Sequence, residues 1–165
     1  RFMGSRKEFE EVVGAQPLLL HAEKLCWPHP EKAALYPPSS SPWRYVNGTG
    51  PAGSGKAIAE AIEYGLANFP IRDDSADVFD VSKDNDQRFW TDVYLNGHGT
   101  LDTSCRLSQS LVMGANGEFA VREGRLVNKP MGTKPLFVHA NGASAMIGFK
   151  GLMDMLSSYR PPSAW

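Results

Sequence analysis

The sequence lacks two features that would indicate particular kinds of partner. Its net charge is −1, so it has no excess of basic residues that would favour a nucleic acid or an anionic membrane. Its longest apolar run, around residues 17–20, is far shorter than the roughly 20 residues of a membrane-spanning helix. We therefore expect a globular protein with no nucleic-acid partner and no membrane segment in this chain.

Cysteine is scarce, and a recognisable leader segment is missing. The two thiols, Cys26 and Cys105, would allow one disulfide, but two buried free thiols are the favoured interpretation. The sequence begins with Arg1 and has no visible signal peptide, so we expect a mature product or a fragment. The cysteine count does not assign the protein to a redox compartment.

The chain has 165 residues, of which 42% are hydrophobic, and this is enough for one domain with a core. We therefore predict a single domain over residues 1–165. Segments with helical and strand-like patterns alternate along it, which favours the α/β class. Helices are predicted over 5–13, 31–35, 57–66, 87–95 and 148–159, with Ser5 as the cap of the first. Strands are predicted over 16–21, 43–46, 118–122 and 135–139, with 118–122 as one arm of a hairpin, a glycine-rich turn over 48–55, and 101–112 as strand or irregular structure.

The glycine-rich segment from Gly50 to Lys56 fits the pattern G-x-x-x-x-G-K of a phosphate-binding P-loop. The pattern requires Ser or Thr next, because that hydroxyl binds Mg²⁺, but the next residue is Ala57. We predict a glycine turn that leads into a helix and does not bind ATP or GTP. A P-loop nucleotide-binding protein is kept as the less favoured alternative.

Four segments, in this order along the chain, resemble the glycosyltransferase domain of the procollagen lysyl hydroxylases. The matching motifs are A-E-x-x-C-W-P followed by Y-P, then R-[FY]-L-N-S-G-G, then an aspartate run ending in D-Q-x-F-[YW]-T, and finally H-G-N-G. Each is short, but together they cover nearly the whole chain. Here they occur as residues 22–28 with 36–37, residues 44–50, residues 84–91, and residues 139–142, and Leu101-Asp102, Cys105-Arg106, Tyr159, Pro161 and Trp165 also match.

The resemblance implies a GT-A-like α/β fold that binds a nucleotide sugar. It also implies transfer of a hexose from a UDP-sugar donor to a protein or glycan acceptor, with hydroxylysine as the typical acceptor. In the family, Mn²⁺ offsets the charge of the departing diphosphate and is held by an aspartate pair and a histidine. By resemblance His139 is that metal ligand, and Asn141 and Gly142 approach the diphosphate. No H-x-D pair is present, so no hydroxylase iron site is evident.

The resemblance also gives expected roles to residues outside the metal site. Asp84, Asn85 and Asp86 match the family's aspartate run and are the candidates for activating an acceptor hydroxyl or binding sugar hydroxyls. Asparagine cannot act as a base, so Asn85 weakens this run. The structural alternative is an acidic segment that caps the next helix. The expected substrate-binding residues are Glu23, Cys26, Trp27 and Asn47, of which Trp27 would stack on a sugar and Cys26 and Trp27 have core packing as their alternative.

The chain departs from the family pattern before its first matching segment. The family's aspartate pair precedes A-E-x-x-C-W-P, but residues 1–21 contain no aspartate. We therefore expect the N-terminal, nucleotide-binding half to be missing from this chain, with a further N-terminal segment or a partner chain supplying it. A catalytically weakened binding or structural module remains the alternative function. The resemblance also implies a location in the endoplasmic reticulum or Golgi lumen, or secretion.

Overall fold

The computed structural model of the chain describes residues 2–14, 16–69, 85–114, 117–140 and 148–157. These residues form a mixed α/β arrangement of helices and small sheets. In chain order the elements are α1 Arg6–Val13, β1 Leu18–Glu23, a 3-10 helix Pro30–Leu35, β2 Tyr45–Gly53, α2 Gly55–Asn68, α3 Asp86–Leu95, β3 Thr100–Leu101, β4 Ser108–Ser110, β5 Phe119–Arg122, β6 Arg125–Asn128, β7 Phe137–His139 and α4 Lys150–Ser157.

Each of the first three helices begins at a polar residue whose side chain accepts hydrogen bonds from the first turn. Ser5 and Glu8 form a reciprocal capping box at the start of α1, as the sequence predicted for Ser5. Ser54 accepts from the backbone of Ala57 at the start of α2, and Asn85 does the same for α3. These caps satisfy amide groups that would otherwise have no partner inside the helix.

The strands form three small sheets. β1 lies at the centre of the first, antiparallel to β2 on one side and parallel to β3 on the other. β4 pairs with β7 in parallel, and β5 pairs with β6 as an antiparallel hairpin, which confirms the predicted hairpin arm. All six residues of β1 are buried, so both of its faces are covered, in agreement with its apolar sequence.

The core is divided into clusters of buried side chains. One cluster includes Leu20, Val46 and Trp90, and packs β1 and β2 against α2 and α3. Another includes Trp43 and Leu156, and packs the β5–β6 hairpin against α4. No helix in the described ranges is long and apolar enough to cross a membrane.

The glycine turn predicted for residues 48–55 is wrong, because most of this segment belongs to β2. Strand β2 extends to Gly53 and pairs through Pro51 and Gly53 with the first half of β1. The register changes between Val46, which pairs with Ala22, and Pro51, which pairs with Leu20. Residues 47–50 therefore lie opposite a single residue of β1, and we call this segment the β2 bulge. Glycine in a strand often marks a bulge of this kind, and the sequence pattern did not separate it from a turn.

The same geometry removes the basis for a P-loop. A P-loop curls its free backbone N–H groups around phosphates, but here residues 51–53 pair with β1. Lys56 is exposed, and its Nζ lies 3.7 Å from Oε1 of Glu60 in the next turn of α2. The prediction that this segment is no ATP or GTP site is consistent with these contacts.

Candidate functional site

The β2 bulge carries polar side chains away from the sheet ladder and towards α3 and β7. Asn47 is buried, whereas Thr49 is exposed. Gly50 has a φ of 96°, in the left-handed region that favours glycine, and this lets the strand return to its pairing at Pro51. Bulges are common next to active sites because they redirect side chains in this way.

Glu23, at the end of β1, is the centre of the polar cluster. Its carboxylate is buried, with 2% of the residue exposed. The Asn47 amide donates to one carboxylate oxygen at 2.5 Å, and the Gln87 amide donates to the other at 2.7 Å. Buried charge is tolerated only where it is hydrogen-bonded, and here two amides from β2 and α3 satisfy that condition. Glu23 therefore connects three elements that are distant in sequence.

His139, the last residue of β7, is joined to this cluster through Thr49. The Thr49 hydroxyl contacts His139 Nδ1 and also the Asn47 side-chain oxygen Oδ1. His139 is half-buried, and this burial lowers its pKa, although the nearby charge of Asp86 acts in the opposite direction. The contacts thus form a continuous path from Gln87 through Glu23, Asn47 and Thr49 to His139, which we call the polar chain.

The start of α3 lies beside the β2 bulge. Asn85 Oδ1 accepts hydrogen bonds from the backbone amides of Gln87 at 3.0 Å and Arg88 at 3.2 Å, so it caps the helix. Asp86 is exposed and its carboxylate approaches Gly48 closely. A Cβ on Gly48 would lie only 2.6 Å from Asp86 Oδ1, so a larger residue there would displace the carboxylate. Glycine at this position allows Asp86 to remain against the bulge.

Cys26 and Trp27 follow β1 but have very different surroundings. Cys26 is buried, its thiol donates to the carbonyl oxygen of His29 at 3.2 Å, and burial raises its pKa. Trp27 is 55% exposed, so its ring is available to a ligand. The core-packing alternative therefore fits Cys26 and does not fit Trp27. Both cysteines of the chain are free and buried, as the sequence favoured.

Four of the predicted site residues come together. Glu23 and Asn47 are hydrogen-bonded, His139 contacts Thr49, and Asp86 lies against Gly48. Because consecutive Cα atoms are only about 3.8 Å apart, contacts at residues 48 and 49 bring Asp86 and His139 to the same place. The roles predicted for these residues stay predictions. Asp84, Asn141 and Gly142 lie outside the described residues.

Two members of the polar chain, Thr49 and Gln87, had no predicted role. Both fall inside segments that carry the family resemblance, immediately beside Gly48 and Asp86. Their place in these segments is the sequence feature that could have identified them as site residues. Neither residue type is a usual acid, base or metal ligand, and their importance depends on contacts across 90 and 64 residues of sequence.

The described residues do not by themselves provide a site for a divalent cation. No group of three or more His, Cys, Asp or Glu side chains in the described ranges is arranged to hold a metal ion. The Nδ1 atom of His139 is occupied by Thr49, which leaves one neutral imidazole nitrogen. A hard cation such as Mn²⁺ prefers several oxygen ligands, so this donor set fits Mn²⁺ only if further ligands are added.

Comparison with known proteins agrees with the sequence motifs. The model of the family described as the PLOD GT domain matches residues 4–165. No curated protein matches the chain. The family match supports the mixed α/β, GT-A-like fold class and a glycosyltransferase type of function, and it covers every residue of the polar chain. The chain belongs to the PLOD glycosyltransferase-domain family.

Proposed function

We propose that this domain transfers a hexose from a UDP-sugar to a hydroxylated side chain of the hydroxylysine type, in a metal-dependent reaction. The observation that carries the proposal is the convergence of Glu23, Asn47 and His139 in one polar chain beside Asp86. These residues come from family segments that are far apart in sequence. A connected polar network that starts at a buried carboxylate and ends at partly exposed side chains holds those side chains in one orientation, as a binding or catalytic site requires.

In the proposed reaction the acceptor hydroxyl oxygen forms a bond to the anomeric carbon of the donor, and the bond from that carbon to UDP breaks. The hydroxyl proton passes to a carboxylate, and UDP leaves with the bonding electron pair. Asp86 is our candidate for that carboxylate because it is exposed and held at the edge of the β2 bulge. Its charge also acts on His139.

Trp27 is our candidate for contact with a sugar ring. Its exposed indole lies four residues after Glu23, in the segment that follows β1. Aromatic rings bind sugars through their apolar C–H faces, and such a contact would contribute binding without taking part in the reaction. Cys26 stays a predicted substrate-binding residue, but its buried thiol is engaged by His29.

Mn²⁺ is the proposed metal cofactor of this reaction. When bound, it would offset the negative charge that develops on the diphosphate. His139 is the candidate ligand, and residues 1–21 contain no aspartate to join it. We therefore extend the proposal to acidic ligands from a further N-terminal segment or a partner chain. Location in the endoplasmic reticulum or Golgi lumen, or secretion, is proposed on the same resemblance and can be checked by protease protection of the protein in isolated vesicles.

The first experiment uses a protein that includes the proposed further acidic ligands, and measures transfer from UDP-galactose and UDP-glucose to a hydroxylysine peptide, with and without Mn²⁺. We expect Asp86→Asn to lower kcat by about 100-fold or more, in the range typical for loss of a general base. Asp154→Asn is the matched control, because Asp154 pairs only with Lys150 on the exposed face of α4 among the contacts described. Equal rates in the two variants would remove Asp86 from the mechanism.

The second experiment uses calorimetry with Mn²⁺ and UDP. We expect the 165-residue chain alone to bind both weakly, since a single imidazole offers no charge to offset desolvation of the ion. A longer protein that includes an N-terminal aspartate pair should bind both, and His139→Ala should then remove most of the metal-dependent affinity. Tight Mn²⁺-dependent binding of UDP by the 165-residue chain would contradict the need for added ligands.

The alternative of a catalytically weakened binding module is favoured by one observation, the capping role of Asn85. Its side chain already accepts two hydrogen bonds from the first turn of α3. A residue held in this way serves the fold whether or not the protein transfers sugar. Binding of UDP-sugar by the longer protein without any transfer to hydroxylysine peptides would support this alternative.

A further inference from the structure

Several described contacts of the polar chain have a direction that can be assigned from groups whose donor or acceptor role is fixed. Asn47 is the first such residue. Its Nδ2 faces a Glu23 carboxylate oxygen at 2.5 Å, and an ionised carboxylate only accepts. Its Oδ1 faces the Thr49 backbone N–H at 3.0 Å, and a backbone N–H only donates. Both ends of the amide therefore require the same orientation.

This orientation determines the direction of the Thr49 hydroxyl. The hydroxyl oxygen also contacts Asn47 Oδ1, which is an acceptor. A hydroxyl has one proton, so Thr49 donates that proton to Asn47 and has only lone pairs left for its other contact. That other contact is with His139 Nδ1, and an acceptor there requires a donor on the imidazole.

We propose that Glu23 sets the tautomer of His139 through Asn47 and Thr49, so that Nδ1 carries the proton and Nε2 keeps the free lone pair. Thr49 and Asn47 are positioning residues in this arrangement, since they act through the imidazole. Glu23 and Asn47 are each 2% exposed, so the first link is protected from exchange with bulk water. The β2 bulge is required as well, because it carries both Asn47 and Thr49 out of the ladder.

The functional consequence rests on the proposed function. Histidines that bind metals or accept protons generally donate their other ring N–H to a fixed partner, and that partner decides which nitrogen is available. Here the partner is a threonine hydroxyl instead of a carboxylate or a carbonyl. Nε2 would then be the ring nitrogen available to a divalent cation, and the tautomer itself does not depend on whether the cation binds.

The test is the ¹⁵N spectrum of histidine-labelled protein at pH 8, well above the ordinary imidazole pKa of about 6.5. Protonated and lone-pair ring nitrogens resonate in separate ranges, and His139→Gln identifies the His139 signals by their loss. We expect Nδ1–H in the wild type and in Thr49→Ser, which keeps the hydroxyl. Thr49→Val keeps the shape without the hydroxyl and should shift the tautomer ratio by about five- to tenfold towards Nε2–H, as expected for loss of one hydrogen bond.

Glu23→Gln extends the test to the buried carboxylate of the polar chain. The single oxygen of the new amide cannot accept from both Asn47 and Gln87, so the orientation of Asn47 then rests on the Thr49 backbone N–H alone, and the tautomer ratio should shift in the same direction as in Thr49→Val. Gln87→Leu is the control, since Gln87 lies beyond Glu23 at the end of the polar chain, and its loss leaves the contacts from Glu23 to His139 in place. An Nε2–H tautomer in the wild type, or an unchanged ratio in Thr49→Val, would overturn the proposal.

Titration with Mn²⁺ and UDP in the same samples separates this inference from the proposed function. Paramagnetic broadening of the His139 ring signals is expected if the imidazole is a metal ligand. The Nδ1–H tautomer without broadening, in a protein that includes all acidic ligands, would keep the tautomer proposal and overturn metal binding at His139. Broadening together with an Nε2–H tautomer would overturn the tautomer proposal and keep metal binding at His139.

Discussion

Two buried carboxylates, Glu23 and Asp102, are satisfied in opposite ways. Asp102 is 5% exposed and accepts from the Ser104 hydroxyl and from the backbone amides of Arg106, Leu107 and Ser108. All of these partners lie within six residues of it. Glu23 accepts from two side-chain amides that are 24 and 64 residues away.

The difference indicates different tasks. A carboxylate bound by successive backbone amides fixes the path of its own segment, and here it holds the turn between β3 and β4, in which Cys105 has a φ of 54°. A carboxylate bound by distant side chains fixes their orientation, and in this case that orientation continues to His139. Asp102 therefore serves stability first, whereas Glu23 serves the arrangement of the site.

The largest expected effect is on stability, at Asp102. Asp102→Ala leaves the buried backbone amides of Leu107 and Ser108 without their acceptor. We expect the free energy of unfolding to fall by about 2–6 kcal/mol, at about 1–3 kcal/mol for each of these two donors. Urea denaturation followed by circular dichroism measures this change. Asp154→Ala, which breaks an exposed pair with Lys150, should cost less than about 0.5 kcal/mol. Similar losses in the two variants would contradict the structural role of Asp102.

The second largest expected effect is a loss of stability at low pH, caused by His21, which lies in the same strand as Glu23. His21 lies opposite the β2 bulge, it is 7% exposed, and its Nδ1 has no hydrogen-bond partner among the described residues. Burial, with a smaller contribution from His139, lowers the pKa of His21 from 6.5 to about 4. The unfolded chain binds this proton more readily than the folded protein, so stability is lost as the pH falls from 6.5 towards 4. The loss should reach about 3 kcal/mol.

Urea midpoints between pH 7.5 and pH 4 in wild type and His21→Phe measure this effect. The variant keeps an aromatic ring beside Phe137, whose ring centroid lies 6.3 Å from that of His21. Its stability should fall much less than that of the wild type as the pH falls from 6.5 towards 4. His98→Phe is the matched control, because it keeps the ring contact with Tyr64 at 3.9 Å. The same pH dependence in His21→Phe and the wild type would show that other groups dominate acid destabilisation.

A matched pair of amide substitutions compares the two carboxylates directly. We expect Glu23→Gln to lower the free energy of unfolding by about 1–3 kcal/mol, because one amide donor then faces another donor. Its kcat for transfer should fall by about tenfold, since loss of about 1.4 kcal/mol of orientation corresponds to that factor. Asp102→Asn should lower stability without changing kcat per folded molecule. Equal effects on kcat would remove the distinction between the two carboxylates.

Local patterns in the sequence predicted most of the helices and strands, but not how these elements pair with each other. The Ser5 cap, the apolar run of β1 and the hairpin arm at β5 were recognisable because each depends on neighbouring residues. The β2 bulge was mistaken for a turn, since glycine is used for both and the difference depends on pairing with β1.

The same limit applies to the candidate site. Family segments identified Glu23, Asn47, Asp86 and His139, because matching motifs identify residues one at a time. They did not identify Thr49 as the link to His139, because that link is a contact across the fold. The direction of each hydrogen bond in the polar chain also required the structure, since it follows from which atoms face each other.

The smallest expected change in stability is at Asn85, where it separates the two proposed functions. Asparagine and aspartate are about equally good helix N-caps, and a negative charge there also favours the helix dipole. We therefore expect Asn85→Asp to change the free energy of unfolding by less than about 0.5 kcal/mol, while Asn85→Ala costs about 1 kcal/mol.

If the aspartate run lacks a carboxylate that the reaction uses, Asn85→Asp should raise the transfer rate by about tenfold or more, in the direction expected for a restored base. Asn85→Ser is the matched control, because it keeps a capping oxygen without adding charge, and its rate should not rise. An unchanged transfer rate in Asn85→Asp, together with unchanged stability, would show that this residue only caps α3 and that Asp84 and Asp86 are the remaining candidate bases.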